Sequence, residues 1–332
     1  MAFGDIVNLS DIPYLDRREL SGRFISTLTF HDDVWRMWMS LHEEGKFVEV
    51  RAWPAEALYF ARQAESKTDL HSLLLTFIAQ RANFSGLEAP FSGIRDDFFN
   101  LSASLAKLDL IFKASSESRE QAGSSRLAAT EVEYILLVCR SLFDLLQEIL
   151  AKLWGTVILT DGNRRTKALK KTFSDMTLYA NTLKSGDQII KQFDMPAFLA
   201  ACYVRHAPLF LKIREFRDNL VHRGQEVQTI FRGEAGFMIA KRLGPFLDLN
   251  IWREDEILPN DLVPLKPALS QIVHGTLAAC EDFACALATN IQFPNPIVPG
   301  MQIFMRGYFN DALAQAIVDA EQRLGEGRTF MR

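Results

Sequence analysis

The chain has 332 residues, 48% of them apolar and 23% charged, with a formal net charge of −4. That balance excludes a disordered chain, and its mild acidity excludes a protein that coats nucleic acid with its whole surface, leaving room only for a local basic groove. The length suffices for one large core or two, and 25 Phe point to thick apolar cores.

No run approaches the roughly 18 uninterrupted apolar residues of a membrane span. The opening MAFGDIVNLSDIPYLDRREL lacks the basic and apolar regions of a signal peptide. Cys139, Cys202, Cys280 and Cys285 sit in apolar helical patterns without metal-ligand spacing. Buried, reduced thiols in a cytoplasmic protein are therefore expected, with no metal and no cofactor. No fixed-period repeat is present.

Residues 1–30 carry little periodicity and read as a loosely structured lead-in. From Asp32 to Glu44, the spacing of Val34, Met37, Trp38 and Leu41 predicts a short helix ended by Gly45. His31, followed by Asp32 and Asp33, resembles a metal pair, but an N-terminal cap by either Asp explains it more simply. Phe47–Trp53 alternates weakly, as a strand would. Helices are expected over Ala55–Gln63, Thr68–Asn83 and Asp96–Ala114, with a Gly- and Pro-bearing connection at Phe84–Gly93.

The polar, Ser-rich stretch Ser115–Ser125 reads as a linker and as the domain boundary between residues 1–115, expected to be mainly helical, and residues 126–332. After it, Thr130 and Glu133 fit a capping box that opens a strong helix to Trp154, stopped by Gly155. Arg140 and Asp144 stand i, i+4 on its polar face. The basic run Asn163–Lys171 reads as a solvated face or a mobile loop. Asp194 and Pro196 look like the start of the next helix, and Pro208 kinks or restarts it.

Pro208–Gly224, PLFLKIREFRDNLVHRG, places Leu209, Ile213, Phe216 and Leu220 on one helical face. Its polar end holds Arg217, Asp218, Asn219 and His222, with Gly224 as the stop. Beyond it, short β-type runs at about 226–253 predict a small antiparallel meander. Long helices should follow from Pro267 to Leu287 and from Tyr308 to Leu324, joined by the Pro-rich Phe293–Gly300. His274 on the first of these reads as a partly buried structural histidine. The architecture expected is mostly α, a helical bundle with a small antiparallel β meander inserted after the motif helix.

Arg-x-x-x-x-His closing an apolar helix, here Arg217 to His222 with the polar Asp218 after the Arg, resembles the signature of the HEPN superfamily. The resemblance covers residues 125–290 in general organisation, and its specific part is the motif. It implies a HEPN-like helical domain, metal-independent RNase activity in a defence or toxin–antitoxin setting, and a homodimer that pairs two motifs at its interface. It implies Arg217 and His222, with Asp218 and Asn219, as site residues.

The chemistry of these residue types agrees with that implication. RNA cleavage without a metal needs a base for the 2′-OH, an acid for the leaving 5′-oxygen and positive charge beside the phosphate. Histidine titrates near neutrality and Arg forks onto phosphate. Five residues on an ideal helix lie about 140° apart and about 7.5 Å along the axis. Arg217 and His222 therefore meet only if the last turn unwinds or a second copy contributes.

Two other readings stand beside this one: a non-catalytic helical binding or scaffold protein with the same residues as ion pairs and helix-end cations, and a ligand-binding module between the helices and the β insertion. No phosphate loop, nucleophile elbow, HExxH, paired CxxC or DNA-binding signature is present.

Overall fold

The computed structural model describes residues 2–41, 45–117, 121–155, 157–160, 162, 167–180, 182–223, 230–241, 246 and 249–328, without the side chains of 2, 115–117, 121–122 and 216–223. The fold is mixed α/β rather than mostly α or a helical bundle: 54% of it is helix and 19% strand. The correction is concentrated at the two ends of the chain. β1 (Ala2–Asn8), β2 (Thr27–Asp32), β3 (Val34–Ser40), β4 (Lys46–Arg51), β5 (Ala57–Ala61) and β6 (Leu70–His71) precede the first helix. They form a seven-stranded sheet with β12 (Gln302–Arg306), in the order β1-β4-β3-β2-β5-β12-β6.

Of the helix expected over 32–44, residues 32–40 lie in a hairpin instead, and 42–44 lie outside the described residues. Asp32 pairs with Val34 across Asp33, whose φ of 63° makes the tight turn. Asp tolerates that left-handed backbone better than most residues, and Val34, Trp35 and Trp38 favour strand. The apolar residues matched a helical spacing because this strand meets apolar neighbours on both faces. Trp38 joins the main core, and Trp35 packs against Tyr59 on the other face. The segment expected as a helix over 55–63 is β5, paired along its whole length with β12 from Gln302↔Ala61 to Arg306↔Ala57. Pairing partners that far apart in sequence leave no local signal.

Helices cover one face of the sheet. The short α1 (Leu73–Phe77) leads through a π-helical turn, Ile78–Ala82, to α2 (Glu88–Glu117) and α3 (Gln121–Trp154). Helix occupies most of the expected linker: α2 runs to Glu117 and α3 starts at Gln121, while 118–120 lie outside the described residues. Thr130 is thus inside α3, where its hydroxyl donates to Leu127 O at 2.8 Å instead of capping.

α4 (Phe173–Thr177), the β7–β8 hairpin (Leu178–Tyr179 and Thr182–Leu183), α5 (Gly186–Phe193) and α6 (Ala197–Arg223) follow. Asp194 closes α5 in a left-handed conformation rather than opening the next helix, and Pro208 lies within an unbroken α6. A three-stranded antiparallel sheet comes next, of β9 (Phe231–Arg232), β10 (Phe237–Ala240) and β11 (Leu262–Pro264) in the order β11-β10-β9. Its third strand lies beyond the β-type stretch expected at about 226–253, of which 226–229, 242–245 and 247–248 lie outside the described residues. α7 (Leu265–Asn290) and α8 (Asn310–Gly325) flank β12.

One continuous core runs from Ile12 to Ala316 and joins the sheet to the helices. Two polar devices fix the join. Glu281 on α7 accepts from Ser72 Oγ and Leu73 N, both at 2.7 Å, at the exposed N–H end of α1. Gln80 uses both ends of its amide, donating to Val298 O and Met301 O and accepting from Val298 N, and so holds the Pro-rich connector beneath β12.

Candidate active site at the end of helix α6

Helix α6 is set against α3 by a repeated polar step. Tyr203 donates to Gln147 at 2.6 Å, and seven residues on, the Arg140 guanidinium lies 4.2 Å over the Phe210 ring. Moving seven residues up α6 matches seven residues down α3, so the helices run antiparallel with side chains recurring every second turn. One further step of the same size brings the backbone of Arg217 to the level of Glu133. Phe143, Phe173, Tyr203, Phe210 and Phe283 form the packed aromatic centre of this layer, with ring centroids 4.8–6.1 Å apart.

On its other side α6 meets α7. Gly275 permits the approach, since a Cβ there would fall 2.6 Å from Leu209 Cδ2. Nearer the start of α6, Arg205 and His206 both bind Asp282 Oδ2, at 2.6 and 2.8 Å. Burial lowers the His206 pKa, with Asp282 acting against it. The Asp282 carboxyl is also lowered: burial opposes its ionisation, and Arg205 and His206 more than offset that. Sequence spacing held no sign of this cluster, because its carboxylate lies 76 residues from the histidine.

The sequence-derived site residues Arg217, Asp218, Asn219 and His222 fall on the last turns of α6, within the helix that ends at Arg223. Their side chains, and Gly224 altogether, lie outside the described residues. The helical backbone holds the 217 and 222 positions about 140° apart around the axis. Close to this end of the layer, three described cations are engaged. Lys107 pairs with the buried Glu131 at 2.5 Å, Lys266 pairs with Asp109 at 3.1 Å, and Arg232 lies 4.6 Å over Phe112. Arg140 pairs with Asp144 at 2.7 Å on α3, one step from the motif level.

Comparison of the chain with protein-family models, with curated proteins and with solved structures gave no match.

The remaining candidates separate by burial. Cys139 and Cys202 are pushed up to about 12 and about 11 by burial, and Cys280 is pushed up further, so these thiols are poor nucleophiles. Cys285 is exposed. Among the described residues, no three His, Cys, Asp or Glu side chains are grouped so as to hold a metal. His31 belongs to strand β2 and packs 4.8 Å from Trp35, while Asp32 pairs with Arg62 at 3.4 Å, so neither Asp32 nor Asp33 caps a helix. Of the basic run, 163–166 lie outside the described residues; Lys167, Lys170 and Lys171 are exposed. No helix among the described residues is long and apolar enough to cross a membrane.

Proposed function

We propose that this chain is a metal-independent endoribonuclease of HEPN type that works as a homodimer, with Arg217 and His222 at the phosphodiester and Asp218 and Asn219 beside them. The observation that carries the reading is the unbroken course of α6 from Ala197 to Arg223. With the last turn intact, one copy does not direct both positions at one phosphate. Two copies related by a two-fold axis do, each lending one residue to the other's site.

In that arrangement one His222 takes the 2′-OH proton, and the 2′-oxygen attacks phosphorus. The 5′-oxygen leaves with a proton that the same His222, now imidazolium, returns. Arg217 holds the non-bridging oxygens as negative charge develops. The C-terminal end of α6 favours the imidazolium form that the acid needs. Cytoplasmic residence goes with this reading, as do the buried thiols of Cys139, Cys202 and Cys280.

The deciding experiment is incubation of a mixed RNA with purified protein in EDTA, beside the His222→Ala variant. The expected products are fragments with 2′,3′-cyclic phosphate ends from the wild type and none from the variant. A folded, dimeric wild type that leaves RNA intact would instead favour a non-catalytic helical binding protein.

A further inference from the structure

A cavity of about 520 Å³ lies where β6, the start of α1, α7 and α8 come together, away from the end of α6. That is the size of a small-ligand pocket, and its walls are apolar: Leu75, Phe98, Leu277, Met305, Leu313 and Ile317. The polar side chains in it are three carboxylates, two imidazoles and the Ser72 hydroxyl. Glu281, Asp282 and Glu321 line it with His71 and His274, and no Lys or Arg is among its described lining residues.

Two of these carboxylates already serve the fold, Glu281 at the end of α1 and Asp282 on α6. Both partners of Asp282 bind the same oxygen, Oδ2. Glu321 is exposed on α8, at the mouth. Burial lowers the pKa of both histidines, against the nearby Glu281 for His71 and Glu321 for His274. At neutral pH each is an uncharged imidazole, and His71 Nε2 lies 3.4 Å from Thr76 Oγ1.

We infer that this cavity binds an amphiphilic organic cation, an alkyl- or arylammonium whose apolar part fills the pocket and whose ammonium sits at the Glu321 mouth. An ammonium has three donors and no acceptor, and the carboxylates and imidazoles around the cavity supply acceptors. An anion of the same shape would meet Glu281 and Glu321 with no Lys or Arg among the described lining residues, Asp282 being already paired with Arg205, and like charges disfavour it.

The test is isothermal titration calorimetry of the full-length protein at neutral pH with octylammonium chloride, octanoate and 1-octanol. One octylammonium should bind per chain, at least about tenfold tighter than octanoate. Glu321→Gln, at an exposed position, should weaken octylammonium about three- to fivefold without affecting octanol. Ala278→Phe, which fills the cavity from α7, should abolish binding of both while circular dichroism shows the helices retained. Octanoate binding as tightly as octylammonium, no binding of octylammonium at millimolar concentration, or binding that neither variant alters would each overturn the assignment. The readout does not use RNA, so its failure is separate from failure of the nuclease reading.

Discussion

Tyr203 and Gln147 are both fully buried and share one hydrogen bond of 2.6 Å, while the other end of the Gln147 amide donates to Lys170 O at 2.7 Å. This single glutamine therefore ties α6 and the segment before α4 to α3. Removing only the phenol oxygen leaves a buried amide oxygen without its donor, which costs more than the bond itself contributes. Tyr203→Phe should lower the stability by ~1–3 kcal/mol in urea denaturation, and Gln147→Leu should cost at least as much by orphaning Lys170 O as well. A Tyr203→Phe protein as stable as wild type would show that the layer relaxes around the gap.

Arg323 on α8 is almost entirely buried. It forks onto Glu256 at 2.7 and 2.8 Å, reaches Asp319 at 3.0 Å and donates to Ile251 O at 2.9 Å. Arg323→Met strands two carboxylates and a carbonyl, so a loss of ~3–5 kcal/mol is expected. Hydrogen bonding from Arg323 outweighs burial and lowers the Glu256 pKa below its ordinary 4.5. A depressed folded pKa adds stability that is complete above the unfolded value and lost as pH falls through the folded one. Urea titrations from pH 7 downward should show the wild type losing stability below about pH 4.5, and Arg323→Met losing less over the same range.

His206 and His274 are held toward the neutral form by burial, each opposed by a neighbouring acid. The unfolded chain binds those protons more readily, so stability is greatest above about pH 6.5 and falls as pH drops below it. His206→Gln should flatten the stability profile between pH 8 and 5 more than it changes stability at pH 8. An unchanged slope would mean that His206 binds its proton equally well in the folded and unfolded chain.

The dimeric reading of the motif makes a quantitative claim. If each site takes Arg217 from one copy and His222 from the other, Arg217→Ala and His222→Ala proteins are inactive alone but complement when mixed. Random exchange makes half of the dimers mixed, each with one of two sites intact, so RNA cleavage should return to about a quarter of the wild-type rate. Inactive mixtures that have demonstrably exchanged subunits would place both residues in one copy's site, or in none.

The packing around Arg306 offers a check on the face of the sheet away from the helices. Its guanidinium lies 4.3 Å over Trp53 and 5.1 Å over Trp35, pairs with Glu65, and reaches Asp69 at 3.5 Å, where Tyr59 donates to the same Asp69 at 2.6 Å. Arg306→Ala should destabilise by ~2–4 kcal/mol through lost aromatic packing together with the half-empty ion cluster. Quenching of Trp35 and Trp53 fluorescence by acrylamide should increase in the variant.

Amino-acid order by itself determined the long helices. Their apolar residues recur every three or four positions, and that period is read within one element without knowledge of any partner. Hence α2, α3, α6, α7 and α8 lie close to where the periodicity puts them, and the Arg217–His222 motif is on the closing turns of α6. Even there local cues were overruled: Thr130 looked like a cap and is inside α3, because a helix extends as long as its apolar face stays covered.

Tertiary structure alone decided the rest. β12 joins β5 across some 240 residues of chain, and Trp35 and Trp38 are strand residues because both faces of β3 find apolar partners that no short window contains. The same holds for the pairing of His206 with Asp282 and for the cavity shared by His71, His274 and Glu321. Helical period is a property of neighbouring residues, whereas a sheet, an interhelical ion pair and a pocket are properties of residues that only folding brings together.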